Sequence, residues 1–380
     1  MIRILHLHSA FDLGGKEARA CKLMNHFGSN ASHVVLSAVP NAMNAIQAID
    51  VAVDVAFPGD GAPALHGKPG PARYWRLARY MQQFDLVLSY NWGSMDGVMA
   101  HTLLAPLIKL PPLIHHEDGF NEDEAVRLNW KRNAFRSLAL HGAYALVVPS
   151  STLESIALKV WRRPKSKVHR ISNGIDIPRY LQTPAANAFP GLAKKEGKVV
   201  VGTIAGLRAV KNLPRLVRAV AAAGPNVMLA IAGDGPERGA IMAEAARLGI
   251  ASRIIMPGFL KDPSAFVGLF DIFALSSDSE QYPISLVEAM TAGLPAVCTD
   301  VGDVRNIVAE ANRRFIVARD DEAGFAAALF ALASDAVLRK QIGAANQALA
   351  IAEYGEAKMY ARYRQLYRNA MNRADFARQA

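Results

Sequence analysis

The sequence predicts an α/β protein made of two doubly wound, Rossmann-like domains. Short apolar runs alternate with helix-period segments in both halves of the chain, the pattern of consecutive βα units. The strand runs are nearly continuous in apolar residues, as expected for parallel strands buried on both faces. A length of 380 residues exceeds one ordinary core and suits two domains.

Composition narrows the class. With 51% hydrophobic and 20% charged residues the chain reads as a soluble globular protein. Cys21 and Cys298 lie far apart inside predicted elements, so they read as buried thiols in a reduced compartment, with no metal-binding spacing. The N-terminal apolar run is too short for a signal segment, and no stretch approaches the roughly 20 apolar residues of a membrane span, so a cytoplasmic location is expected. The formal charge is +10, and the first 175 residues hold 19 Lys and Arg against 13 Asp and Glu, so the excess is not confined to a tail. Zinc-finger spacing, an RNP-like aromatic motif and a recognition-helix pair are all missing, so no nucleic-acid partner is expected. An anionic substrate or an anionic membrane surface explains the charge instead.

In chain order, residues 2–8 read as a strand, Ser9 to Gly15 as a loop and Glu17 to Phe27 as a helix. Gly14-Gly15 serves either the close approach of a ligand to backbone or the torsions of a helix start, the second alternative leaving Lys16 and Arg19 solvated. Strands follow at Val34 to Ser37 and Val51 to Phe57, then a Gly- and Pro-rich stretch, 58–72, that reads as a mobile loop. Tyr74 to Gln83 is a basic helix, and Leu86 to Ser89 a strand leading into Tyr90-Asn91-Trp92-Gly93. Leu113 to His116 is a strand that empties into Glu117-Asp118-Gly119-Phe120. Open α/β sheets bind ligands at such carboxyl ends. For His115 and His116 the alternative is one buried and one surface imidazole; for Glu117 and Asp118 it is a plain surface loop.

The predicted helix Glu124 to Leu140 sets Arg127, Lys131, Arg132 and Arg136 beside Leu128, Trp130 and Phe135. That is either a solvated face or one lying on an anionic bilayer. Tyr144 to Pro149 is a strand, and six basic residues run from Lys159 to Arg170. Asn173-Gly174-Ile175-Asp176 closes a first domain, 1–176, and 177–197 has the composition of a linker. A second domain, 198–358, begins with strand Val199 to Ile204, helix Leu213 to Ala223, strand Val227 to Ile231, helix Glu237 to Leu248 and strand Arg253 to Met256. Arg208 and Lys211 lie three residues apart in the first of its loops, either flanking a diphosphate or forming a pair of surface charges. Gly233-Asp234-Gly235-Pro236 reads as a structural turn. A Tyr- and Arg-rich helix in 359–380 is expected to pack back across both domains and complete the first.

The most informative stretch is Ser276 to Gly302. A strand from Phe270 to Leu275 leads into a Ser-rich loop bearing Glu280. A helix from Ile284 to Met290 carries Glu288, eight residues later. Ala292 to Pro295 stops the helix, and Ala296 to Thr299 starts another strand. A helix opening at the carboxyl end of a parallel strand favours phosphate. Carboxylates on either side of such a site suit hydroxyl groups, and the combination suggests a nucleotide-sugar.

Gly14-Gly15, Asn173-Gly174-Ile175-Asp176, the Arg208/Lys211 loop, Ala232-Gly233-Asp234-Gly235-Pro236-Glu237, Glu280-x7-Glu288 with Ala289-Met290, and Gly293-Leu294-Pro295 occur in the order seen in one family. The chain resembles the GT-B glycosyltransferases, and among them the large retaining group called family 4. The resemblance is strong from Val199 to Met371 and patchier before it. It implies two Rossmann-like domains facing across a cleft, with acceptor on the N-terminal side and nucleotide-sugar on the C-terminal side.

Carried over to this chain, the resemblance makes Arg208 and Lys211 the residues that neutralise the diphosphate without a metal. Glu280 holds hydroxyls of the donor sugar, and Glu288 the ribose. Ile284, Ser285 and Leu286 line the donor, and Gly15 brings its N–H to the diphosphate or acceptor. Gly14, His115, His116, Glu117 and Asp118 fall on the acceptor side, with catalytic roles implied for Glu280, Asp118, Arg208 and Lys211. No cofactor is implied, since the nucleotide-sugar is a co-substrate.

Three positions depart from the family pattern. Gly206 stands where Arg is usual, Asp118 where His is usual, and Gly302-Asp303 where Gly-Gly is common. The expected activity is retaining transfer from a UDP- or GDP-sugar to a hydroxyl of a glycan or lipid-linked glycan of the cell-surface polysaccharide type. Peripheral contact with the inner face of the cytoplasmic membrane is expected through the Arg127–Arg136 helix and the Lys159–Arg170 run. The competing readings are a nucleotide-sugar 2-epimerase on the same fold and a non-catalytic nucleotide-sugar or nucleic-acid binding protein.

Overall fold

The computed structural model describes residues 1–12, 14–39, 42–120, 124 and 128–377. The chain divides into two compact units, Met1–Asn173 with Met359–Ala380, and Gly174–Lys358. Arg127 and its neighbours 125–126 lie outside the described residues.

Among the described residues, the first unit holds a seven-stranded parallel sheet. Its strands are β1 (Ile2–His8), β2 (Ala31–Ser37), β3 (Val55–Ala56), β4 (Leu86–Tyr90), β5 (Leu113–His116), β6 (Ala145–Val148) and β7 (Val168–Arg170), in the order β3-β2-β1-β4-β5-β6-β7. Successive residues of a strand face opposite sides, and the two faces have separate cores. Ile2, Ile4, Leu86, Leu88 and Ile114 pack under α1 (Gly15–Phe27). Leu5, Leu7, Val87 and Leu113 pack under α2 (Pro71–Met81), α3 (Met95–Leu104), α4 (Trp130–Ala139) and α5 (Ser151–Lys159).

Three expectations for this half change. The third strand is two residues long instead of seven, because only Val55 and Ala56 pair with β2. The stretch 58–72 is tied down: Arg73 donates to the carbonyls of Gly67 at 2.9 Å and Ala64 at 3.3 Å, and Leu65 is buried. The helix expected from Glu124 starts at Trp130, where Asn129 Oδ1 caps it by accepting from Lys131 N–H at 3.0 Å.

The second unit holds a six-stranded parallel sheet of β8 (Val199–Ile204), β9 (Val227–Ala232), β10 (Ile254–Gly258), β11 (Ile272–Leu275), β12 (Ala296–Thr299) and β13 (Ile316–Val317). The order is β10-β9-β8-β11-β12-β13. Its helices are α6 (Ile177–Tyr180), α7 (Leu213–Ala222), α8 (Arg238–Arg247), α9 (Ile284–Thr291), α10 (Val304–Ile307), α11 (Glu322–Ser334) and α12 (Ala336–Glu353). Helices α7, α8 and α11 cover one face, α9 and α10 the other. Phe189 and Leu192, from the segment read as a linker, are buried in the second of these cores. The last helix, α13 (Glu356–Met371), starts in the second unit, and from Met359 onward its residues belong to the first, where Met359, Tyr363 and Tyr367 join the α1 core. Strand order reverses between β1 and β4 and again between β8 and β11. Those switch points are where open α/β sheets leave a crevice for ligands.

Candidate functional site

In the second unit, the loops leaving β8 and β11 flank the switch point and carry the predicted donor residues. The first passes Arg208 and Lys211 and enters α7 at Asn212, a left-handed residue with φ 43°. The second carries Ser277, Asp278 and Glu280 toward α9. The loops are bonded to each other: Asp278 N–H donates to Val210 C=O at 2.8 Å, Ser276 Oγ to Lys211 C=O at 3.0 Å, and Asn212 Nδ2 to both Asp278 oxygens at 3.1 Å. Lys211 Nζ donates to Glu280 Oε1 at 2.6 Å, and Ser277 Oγ donates to the same oxygen at 2.6 Å. The two residues, read from sequence as separate contacts, therefore form one half-buried ion pair. Among the described residues Glu280 Oε2 takes no hydrogen bond, and the exposed side chain of Arg208 takes neither a hydrogen bond nor an ion pair.

Neighbouring turns hold this arrangement in place. Leu207 N–H donates to Asp234 C=O at 2.9 Å and Glu237 N–H to Leu207 C=O at 3.0 Å, so the Gly233–Pro236 turn fixes the Arg208 loop. Gly302, at φ +58°, backs the Glu280 loop so closely that a Cβ would sit 2.3 Å from Glu280 C=O. Position 303, at φ −105°, needs no glycine; Asp303 N–H donates to Gln281 C=O at 3.2 Å. That explains how Asp replaces the second glycine of the family pattern.

Eight residues on, Glu288 accepts from Tyr180 O–H at 2.7 Å. Burial first, and then the Glu288 charge, push the Tyr180 phenol up, so it stays a donor. Ile284 and Ser285 head α9, where N–H groups lack intrahelical acceptors, while Leu286 and Val287 are buried in the core. Sequence reasoning missed Tyr180, whose four-residue helix sits in a segment of loop-like composition. It also missed Arg215, one turn after Lys211, which is buried and bonds Ser276 C=O at 2.9 Å and Asp278 at 3.0 Å. Lys211 lies before the left-handed Asn212 and Arg215 within α7, so no helical spacing links the two in the sequence.

In the first unit, the loops after β1 and β4 meet at the other switch point. A Cβ on Gly93 would lie 2.1 Å from that of Ser9. Asn91, at φ +53°, donates its N–H to His116 C=O at 2.8 Å and accepts from Asp118 N–H at 2.8 Å. Such a torsion in a residue other than glycine is strained and recurs at functional sites. Arg19 is 3% exposed, which removes the solvated alternative. Its guanidinium grips Asp118 through both nitrogens, Nη2 to Oδ2 at 2.7 Å, and donates to Asn173 Oδ1 at 2.9 Å. Burial opposes the Arg19 charge, but Asp118 outweighs it and holds the guanidinium protonated. Lys16 pairs with Glu17, and burial pulls its ammonium down to about 8. Gly14 caps α1, and Gly15, its first residue, faces open space.

The remaining acceptor-side candidates are buried. His115 and His116 are both inaccessible, which removes the alternative of one buried and one surface ring. His115 Nδ1 meets Ser89 Oγ at 2.9 Å; His116 stacks on Tyr90 with centroids 4.7 Å apart. Glu117 lies 3.3 Å from Arg136 Nε and is 1% exposed, so it is not part of a surface loop. Arg136 is itself buried: it bonds Glu124 twice at 3.1 Å and lies 5.0 Å from the ring centres of Trp92 and Phe120. A bilayer-facing or solvated role for Arg136 is thereby corrected. Arg132 also pairs with Glu124, at 3.1 Å. In the Lys159–Arg170 run, Lys165 and Arg170 pair with Glu154 and Arg163 is buried. Among the described residues no group of three or more His, Cys, Asp or Glu could hold a metal ion, and no helix is long and apolar enough to cross a membrane.

Comparison with known proteins completes this picture. The family model of glycosyltransferase family 4 matches residues 13–179, and that of glycosyl transferases group 1 matches residues 185–349. EpsF of Bacillus subtilis is 29% identical over 227 residues, which cover 55% of this chain and 58% of EpsF. The N-acetyl-alpha-D-glucosaminyl L-malate synthase of Bacillus anthracis is 23% identical over 207 residues, 54% of each protein. The chain thus spans little more than half the length of these curated relatives. Among solved structures, Anabaena HepE in complex with UDP superposes with a TM-score of 0.79 at 19% identity, over 97% of this chain and 100% of that one. With consecutive models matching its two halves and a shared architecture over nearly its whole length, the chain belongs to glycosyltransferase family 4 and has the GT-B fold.

Proposed function

We propose that the protein is a retaining glycosyltransferase that moves a sugar from a UDP- or GDP-sugar to a hydroxyl of a glycan or lipid-linked glycan. The observation that carries this is the Lys211–Glu280 pair at the β8/β11 switch point, beside the start of α9. The diphosphate takes the Lys211 ammonium, the unpaired Arg208 guanidinium and the first N–H groups of α9. Those positive groups stabilise the leaving phosphate, the charge that develops in the transition state. Glu280, relieved of part of its pairing with Lys211, accepts from hydroxyls of the donor sugar through Oε2. Glu288, oriented by Tyr180, accepts from the ribose.

In the step itself, the bond from the sugar's anomeric carbon to phosphate oxygen breaks while the acceptor oxygen bonds to the same face. The acceptor proton passes to the departing phosphate oxygen, so no protein nucleophile is needed. Asp118, fixed by Arg19 and Asn91, and the open backbone at Gly15 serve the acceptor side, with His115, His116 and Glu117 supporting them from the buried side. UDP in the HepE complex supports a nucleoside diphosphate as the ligand class. A cytoplasmic place, peripheral to the membrane, is part of the same reading.

The test is kinetic. Lys211→Ala should lower kcat/KM for transfer by about 10²–10³, and the product anomer should match the donor's by NMR. Unchanged kcat/KM in Lys211→Ala and Glu288→Ala sinks the assignment. An epimerised free sugar released with no acceptor present would favour the epimerase.

A further inference from the structure

A different face of the first unit carries a groove of 1110 Å³ between the start of α2 and the end of α3. Pro69, Pro71, Trp75, Leu103 and Leu107 line it, with Arg76 among them. Leu107 is 72% exposed and Trp75 46%, a large apolar area to leave facing water. Isolated exposed apolar residues are ordinary, but a contiguous set marks a surface with a partner. Helix α4 packs on α3 beside the groove, its end held where Gly142 N–H donates to Thr102 Oγ1 at 3.2 Å, and Leu138 there is 58% exposed.

The charge around this groove has one sign. Segments 61–84, 97–116 and 128–153 contain no Asp or Glu. Lys68, Arg76, Arg79 and Lys109 are exposed, and among the described residues their side chains take no ion pair or hydrogen bond. The acid within reach, Asp96 of α3, is already held by Arg73 at 2.6 Å. A second copy of the chain would bring like charges together. Nucleic acid would satisfy the cations but leave a Leu- and Pro-lined groove unfilled.

We propose that this face docks on an anionic phospholipid bilayer. Trp75, Leu107 and the groove enter the acyl layer, and Lys68, Arg76, Arg79 and Lys109 meet lipid phosphates. Indole at the boundary between hydrocarbon and water is favoured because one edge is apolar and the other polar. The proposal moves membrane contact from Arg136, which is buried, to α2 and α3. It does not depend on the donor site: a protein inactive in transfer would still dock.

The test is co-sedimentation of the full chain with phosphatidylglycerol–phosphatidylcholine vesicles and with pure phosphatidylcholine. Wild type should pellet with the anionic vesicles, and at least tenfold less with neutral ones or at high salt. A Trp75→Glu/Leu107→Glu variant should lose at least tenfold in binding while donor turnover stays unchanged. Wild type should also show fluorescence quenching by lipids brominated on the acyl chain, reduced in the conservative Trp75→Phe. Failure of wild type to pellet with anionic vesicles overturns the proposal. So does wild-type binding or quenching in these variants, or an effect of the substitutions confined to self-association or nucleic-acid retention.

Discussion

Lys211 and Glu280 are 69 residues apart in sequence and 2.6 Å apart in the fold. Each holds the other's side chain in the crevice before any ligand arrives, which lowers the ordering cost of binding. The same logic governs Arg19 and Asp118. Asp118→Ala would strand a buried guanidinium and should cost about 3–5 kcal/mol in denaturant unfolding; a loss under 1 kcal/mol would show that Arg19 finds solvent. Gly302→Ala forces a Cβ against Glu280 C=O at positive φ, and should cost about 1–3 kcal/mol and weaken donor binding. Glu280, Glu288 and Lys211 were legible as candidates because their spacing around a strand, loop and helix has few other uses. Tyr180 was not, because a lone tyrosine in a Pro-rich segment gives no sign of a carboxylate 108 residues away. Tyr180→Phe should raise KM for the donor several-fold with little change in kcat, since Glu288 keeps its charge but loses its orientation.

Helices and strands followed the hydrophobic pattern wherever both ends were marked. Strands β1, β5, β8 and β12 begin and end where apolar runs do. Helix α9 opens after Pro283, which serves as its N-cap. Helix α4 was misplaced because a run of basic residues beside aromatic ones has the period of a surface helix, while its actual start depends on one cap, Asn129. Asn129→Ala should cost about 1 kcal/mol, seen as a lower unfolding midpoint. The buried Arg136 of the same helix shows why charge runs mislead: two carboxylates and aromatic rings replace its water. Only tertiary placement brings Glu117, Glu124, Trp92 and Phe120 around it. Segment 58–72 repeats the point, since its composition predicts motion and one arginine, Arg73, anchors it.

At the scale of the whole molecule the two sheets are alike and the titratable groups are not. All 10 histidines precede residue 174 and belong to the first unit. Burial holds His6, His8 and His116 well below their usual range, and His33 down to about 4. Lys16 and Arg19 near His8 and Arg19 near His116 add to this, and Asp54 partly offsets it at His33. These rings are neutral when folded and protonate when unfolded, so the unfolded state binds more protons between the two values. Stability is therefore full above about pH 6.5 and falls as pH drops toward 4, on the order of 3 kcal/mol from His33 alone. The second unit, without histidine, should hold until its carboxylates titrate. Buried Cys21 and Cys298 report one unit each. Reaction with a dithiodipyridine should speed up at Cys21 between pH 6.5 and 4.5 and stay slow at Cys298; equal acceleration would contradict the asymmetry.

On the proposed function, the β8/β11 crevice of the second unit holds the diphosphate of a nucleotide-sugar. Thermal unfolding with UDP, GDP and unrelated nucleotides tests it most directly. A ligand bound only to the folded state at 100 times its Kd adds about 2.7 kcal/mol. The midpoint should rise with UDP or GDP, with the rise lost in Lys211→Ala and weakened in Glu288→Ala. No shift with either nucleotide, or an equal shift in wild type and Lys211→Ala, would contradict it.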